Sequence, residues 1–136
     1  MRCVVDASVA VAWCLPDESG DQLMVAVLNQ ALRDGVHVPA LWTSEIFNAL
    51  LQSLRRKRID STDLDRAISL LSNLDIKTEA VPDWETSQLI LSVAIAQGLT
   101  FYDASYLEMA QRLDLPLATR DHKLTTAAKA AGVRSV

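Results

Sequence analysis

The sequence predicts an α/β sandwich built on a short, mainly parallel five-stranded sheet, and three observations carry that prediction. Short apolar runs alternate with segments of helical periodicity along the whole length. The four glycines and four prolines mostly punctuate those segments. No shift in composition marks a linker, so residues 1–136 read as a single domain, large enough to bury roughly 70% of its unfolded surface.

Cys3-Val4-Val5, ending at Asp6, reads as a buried first strand, and Val9 to Leu15 as an apolar helix stopped before Pro16. Asp21 to Arg33 carries Leu23, Met24, Val27, Leu28 and Leu32 at helical spacing and ends at Gly35, a residue suited to a helix C-terminus. Val36-His37-Val38 before Pro39 is the second strand. From Leu41 to Arg58 a helix places Ile46, Phe47, Leu50, Leu51 and Leu54 on one face. Ser61 or Thr62 caps the next helix, marked by Leu64, Ala67, Ile68 and Leu71. Lys77 to Val81 alternates and breaks at Pro82, giving a third strand, and Glu85 to Gln97 is a helix ended by Gly98. Leu99 to Tyr102 reads as a fourth strand, Ala104 to Arg112 as a helix, and Leu115 to Thr119 as a fifth strand. Lys123 to Ala131 is a last helix before Gly132.

Charge and cysteine usage narrow the function. The 13 Lys and Arg against 17 Asp and Glu give a formal charge of −4, unlike the strongly basic field of a generic nucleic-acid coat protein. Bound cations can reverse that sign locally, so nucleic acid stays open as a substrate. Cys3 and Cys14 lie in apolar runs and form no disulfide framework, as expected of a cytoplasmic protein. No apolar stretch approaches the ~20 residues of a membrane span, and the opening MRCVVDAS lacks a signal segment. GxxxxGK[ST] and GxGxxG are absent, and neither His37 nor His122 has an evident serine partner.

Ligands of parallel sheets bind beyond the carboxyl ends of the strands. There the sequence puts Asp6-Ala7-Ser8, Asp103-Ala104-Ser105 and Thr119-Arg120-Asp121. Each aspartate alone is explained as a helix N-cap, worth ~1 kcal/mol. Three at one sheet edge repel each other unless a cation compensates them. Glu45 is a fourth candidate, on the third helix, with Asn48 three residues on to orient it. Ser8 and Thr119 could hold a bound water or a phosphate oxygen. Carboxylates without Cys or His partners favour Mg²⁺ or Mn²⁺ over zinc, in an arrangement suited to phosphodiester hydrolysis.

These residues resemble the PIN-domain nucleases, in particular the VapC-type toxins of toxin–antitoxin pairs. The likeness rests on Val4-Val5-Asp6-Ala7-Ser8 continuing to Trp13 and Leu15-Pro16-Asp17-Glu18; on Pro39-Ala40-Leu41-Trp42 leading to Glu45-Ile46-Phe47-Asn48-Ala49-Leu50; on Gly98-Leu99-Thr100 with Tyr102 to Leu107; and on Ala118-Thr119-Arg120-Asp121 with Lys123-Leu124. It implies a PIN-like three-layer α/β/α sandwich and an Mg²⁺- or Mn²⁺-dependent endoribonuclease. Asp6 and Asp103 would be the principal ligands, completed by Glu45 and Asp121. It further implies a homodimer, a VapB-like antitoxin whose C-terminal segment blocks the site, and operator DNA bound only through that antitoxin. Two departures stand out: Arg120, where a small residue is usual, and Lys57, where glycine is frequent. Arg120 could reach a phosphate or pair with Asp121. The run Arg55-Arg56-Lys57-Arg58 is either an RNA or antitoxin grip or a solvated helix end.

A housekeeping nuclease of the same fold, or a catalytically silent interaction module whose acids only cap helices, are the alternatives. Trp13, Trp42 and Trp84 sit in or beside apolar runs, which points to core or interface packing rather than base stacking.

Overall fold

Four three- or two-residue strands, β1 (Cys3–Val5), β2 (Val36–Val38), β3 (Ile76–Thr78) and β4 (Leu117–Ala118), form one sheet in the order β3-β2-β1-β4, all pairs parallel. The computed structural model describes all residues 1–136. Parallel neighbours need crossover connections, and seven helices supply them. They are α1 (Ala7–Cys14), α2 (Gln22–Asp34), α3 (Leu41–Arg55), α4 (Ser61–Ser72), α5 (Trp84–Gln97), α6 (Phe101–Leu113) and α7 (His122–Ala130). Helix α1 packs on α2, α3 and α4, whereas α6 packs on β1, β4, α5 and α7. The α/β sandwich expected from the sequence is borne out.

β-Branched residues make the sheet centre: Val4, Val5, Val36 and Val38 are wholly buried. Trp13, Trp42, Ile46, Leu50, Tyr106 and Leu107 extend that core into the helices. The chain runs β1 to β2 to β3 in one direction and then returns to place β4 on the other side of β1. The strand order therefore reverses between β1 and β4, and a crevice opens beyond their carboxyl ends.

Several expectations need correction. The sheet has four strands rather than five, because Leu99 to Tyr102 is not a strand. Gly98 closes α5 in the left-handed region (φ 66°), and two residues later Thr100 already caps α6, its hydroxyl accepting from Asp103 N at 3.1 Å. That leaves too little chain for a strand between two helix ends. The partner added beside β4 is instead the C-terminal stretch, where Leu117 N donates to Arg134 O at 2.9 Å and Val136 N to Leu117 O at 3.3 Å. Asp60, not Ser61 or Thr62, caps α4, in a reciprocal capping box with Asp63. Phe47 lies on the open flank of α3, 50% exposed, while Trp42, Ile46 and Leu50 form its buried stripe. Trp13 and Trp42 are core, but Trp84 is 82% exposed.

Helix α3 ends at Arg55, three residues earlier than its periodicity suggests. Lys57 adopts φ 58°, its N–H bonds Leu54 O at 3.1 Å, and Arg58 N bonds Ser53 O at 2.9 Å. This is a Schellman closure with lysine at the position that favours glycine. The left-handed region costs an L-residue roughly 1–2 kcal/mol, partly offset by the extra chain entropy glycine loses on folding. Lys57→Gly is expected to stabilise the fold by about 0.5–1 kcal/mol. An unchanged or lowered urea midpoint would contradict that strain.

Candidate functional site

The crevice between β1 and β4 is where the acidic residues meet. Asp6 directly follows β1 and caps α1, Asp121 follows β4 and caps α7, Asp103 sits in the first turn of α6, and Glu45 projects from α3. All four line one solvent-open cavity of about 460 Å³, together with Ser8, Glu18, Arg58 and Arg120. Asp103 reaches it from a helix rather than from a strand end. The convergence survives because α6 packs directly on β1.

Asp6 is the most deeply held of the four, only 5% exposed. Its Oδ2 accepts from Thr119 Oγ1 at 2.7 Å and from Ser8 Oγ at 3.1 Å, and Oδ1 accepts from Ser8 N at 3.3 Å. Thr119 Oγ1 also accepts from Asp121 N at 3.0 Å, so its single proton is committed to Asp6. Ser8 and Thr119 thus fix the Asp6 carboxylate.

Glu45 is oriented by Tyr106, not by Asn48. The fully buried Tyr106 donates its hydroxyl to Glu45 Oε1 at 2.7 Å, and Asn48 is exposed and makes no bond to Glu45. Spacing on α3 points to Asn48, which the structure leaves exposed. Tyr106 lies three residues after Asp103 on α6, and that spacing was the signal that could have found it. Burial and the neighbouring Glu45 carboxylate push the Tyr106 phenol far up, so it stays a donor.

The electrostatics carry the mark of unpaired anions. Burial raises the Glu45 carboxyl, and repulsion from Asp6 and Asp103 adds to it, outweighing the Tyr106 bond that pulls the other way. Burial likewise raises Asp103, with Asp6 and Asp121 adding. None of the four acids has an ion-pair partner, although Arg58 and Arg120 line the same cavity. Arg120 Nη1 lies 3.2 Å from Glu18 Oε1, so it pairs neither with Asp121 nor with the other three.

The donor set is all oxygen and opens to solvent. No three acids close into a ready-made metal cage. Mg²⁺ and Mn²⁺ do not need one, because a hard cation bound through one or two carboxylates keeps several waters. The residues therefore fit a hydrated hard cation and do not fit a closed structural zinc site.

A larger cavity, about 590 Å³, lies between the start of α3, α5 and α6. Its charged members neutralise each other: Arg112 donates to Glu79 at 2.7 and 3.0 Å and to the buried Glu108 at 2.7 Å. His37 sits 3.9 Å from Glu79 in the same network, a structural role. Size alone would choose this cavity; unpaired chemistry chooses the smaller one. Cys3 and Cys14 are buried free thiols that burial pushes up to about 11, which leaves them inert.

Known proteins resemble this chain over nearly its whole length. Residues 3–130 match the sequence profile of the PIN domain family. The chain is 33% identical over 132 residues to the VapC ribonuclease Mb0985 of Mycobacterium bovis, spanning 93% of this chain and 91% of that one. It is 30% identical over 127 residues to Ribonuclease VapC3 of Pyrobaculum aerophilum, spanning 91% and 92%. Among solved structures, PAE2754 from Pyrobaculum aerophilum superposes with a TM-score of 0.72 at 29% identity, covering 100% of this chain and 91% of that one. FitAcB from Neisseria gonorrhoeae, at 21% identity and a TM-score of 0.67 over 98% and 96% of the two chains, shares the fold.

Proposed function

The chain belongs to the PIN domain family, among its VapC-type members, and on that premise we propose that it is a metal-dependent endoribonuclease acting as the toxin of a VapBC-type pair. The observation that supports this most is the set of four carboxylates lining one cavity without a cation partner. Asp6 and Asp103 are the principal Mg²⁺ or Mn²⁺ ligands in this reading, with Glu45 and Asp121 completing the set. Bound there, the ion would lower the pKa of an attacking water and stabilise charge on the scissile phosphate.

The chain's own residues do the positioning. Thr119 and Ser8 hold Asp6 in one orientation through the shared Oδ2. Tyr106 occupies Glu45 Oε1 and leaves Oε2 free to accept a proton or orient a water. Asp121 spends Oδ1 on capping α7, accepting from Leu124 N at 3.2 Å, and leaves Oδ2 for the cavity.

The purified protein should cut RNA internally with Mg²⁺ or Mn²⁺ and stop when a chelator is added. Cleavage that is indifferent to the chelator would overturn the metal assignment. In a bacterial host, induction without an antitoxin should arrest growth, and co-expression of the VapB-like partner should restore it. Unimpaired growth would leave a nuclease without a toxin role. Operator DNA is bound only through that partner. No helix is long and apolar enough to cross a membrane, and the proposed compartment is the cytoplasm.

The likeness also implies a second copy of the chain. Helix α5 carries apolar residues on more than one face, yet only Ile90 and Ala94 are buried, leaving Trp84 82%, Leu91 51% and Ile95 75% exposed. These three recur at helical spacing on one flank and would pair across a two-fold axis. Light scattering should give a dimer for the parent chain and a monomer for Ile95→Arg. A monomeric parent at micromolar concentration removes this interface.

A further inference from the structure

We propose that Arg58 and Arg120 form a phosphate-receiving rim at the mouth of the acidic cavity, positioned by Glu18, and that they receive the backbone of single-stranded RNA. The inference rests on the nuclease reading above and adds to it the residues that hold the polyanion. Three remote segments meet at this rim: Glu18 from the turn after α1, Arg58 from the turn between α3 and α4, and Arg120 from the turn between β4 and α7. One atom gathers them. Glu18 Oε1 lies 3.2 Å from Arg120 Nη1 and 3.6 Å from Arg58 Nη2, and Arg58 Nη2 also donates to Asp17 Oδ2 at 3.0 Å.

Charge explains why such a rim is needed. The cavity lining holds five carboxylates against two guanidiniums, so an unassisted polyanion is repelled. No lysine lines it, and Arg55, Arg56 and Lys57 lie outside it. Left alone, two guanidiniums beside four unpaired carboxylates would swing in and neutralise them, displacing a metal ion. Glu18 and Asp17 engage them at the edge instead and leave the inner acids free. Both arginine side chains are close to half exposed, at 45% and 40%. Exposed ion pairs of this kind contribute little, so a phosphate can exchange for the carboxylate. The guanidinium fork suits two phosphate oxygens, as an ammonium does not.

The test reads RNA binding separately from cleavage. A fluorescent single-stranded RNA oligonucleotide is titrated with full-length Asp6→Asn protein in Mg²⁺ at several salt concentrations. Adding Arg58→Ala or Arg120→Ala should weaken binding roughly 5–10-fold and flatten the slope of log Kd against log salt by about 0.7 each, one phosphate contact on a single strand. Arg58→Lys and Arg120→Lys should keep most of the slope, and Arg33→Ala, paired with Asp34 away from the cavity, should change nothing. Circular dichroism separates a folding defect from a binding one. In the parent chain, Glu18→Gln should weaken Mn²⁺ binding about two- to fivefold, and a further Arg120→Ala should restore it. Unaltered Kd and slope in both alanine variants overturn the rim even if the parent cleaves RNA. Absence of RNA binding by the Asp6→Asn protein overturns it as well. Arginine-dependent binding without cleavage by the parent supports the rim and defeats the nuclease reading. Unchanged Mn²⁺ affinity in Glu18→Gln removes Glu18 from the proposal.

Discussion

Asp6→Asn is expected to lower metal-dependent RNA cleavage by at least about 10²-fold while leaving the protein folded. Loss of a group that merely orients a metal ligand costs about 10–100-fold, and loss of a proposed ligand should cost no less. Folding should survive because asparagine caps a helix about as well as aspartate does. The amide cannot reproduce every bond, however. Thr119 and Ser8 both donate to Oδ2 while Ser8 N donates to Oδ1, so one of those donors must face an NH₂ group. Against that loss stands the relief of repulsion on Glu45 and Asp103. The two effects oppose, and the net change in stability should stay within about 1 kcal/mol. Thr119→Val keeps the Asp6 carboxylate but removes its 2.7 Å donor, together with the acceptor of Asp121 N, and activity should fall about 10–100-fold. Parent-like cleavage by Asp6→Asn would remove Asp6 from the reaction.

The residues that converge on the cavity were legible in the sequence because strand-to-helix junctions announce themselves twice. Asp6 directly ends an apolar run and Asp121 follows one after Thr119 and Arg120, and each also caps the helix that follows. Asp103 reaches the same place from a helix turn, where its sequence reads as a strand end. Its segment reads as strand because Leu99, Phe101 and Tyr102 are apolar or aromatic, but Thr100 starts a helix there and local capping prevails. What the chain could not announce was pairing between distant segments. The Tyr106–Glu45 bond spans 61 positions and the Thr119–Asp6 bond 113. Both depend on how α3, α6 and β4 pack around β1: the Asp103–Tyr106 spacing puts Tyr106 on the site's face of α6, but it does not name Glu45 as its partner. Glu18 is the sharpest case: in the sequence it is one more acid after Pro16, and only the fold places it between two arginines.

Stability should respond to pH in opposite senses without and with a divalent cation. In the metal-free protein Glu45 and Asp103 have folded pKa values raised above the ordinary 4.5 and 3.8, so the folded state binds protons more readily than the unfolded chain. The cost of keeping them ionised is fully present above their folded values and is relieved as the pH falls toward the ordinary ones. His37 works against this gain, since burial lowers its pKa below 6.5 and the unfolded chain protonates first. At lower pH still, Asp60, Asp83 and Glu79, whose folded values are lowered, lose their contribution. The Glu45 contribution emerges from comparison with Glu45→Gln, which lacks the titration but keeps the shape. The variant should be the more stable protein at about pH 7, and that gap should shrink toward about pH 5. A divalent cation binds only the ionised acids, so its stabilisation should grow with pH, reaching about 2.7 kcal/mol at a hundredfold excess over Kd. A gap between parent and Glu45→Gln that ignores pH would show that these carboxylates do not repel each other. Equal metal stabilisation at both pH values would show that the cation binds elsewhere.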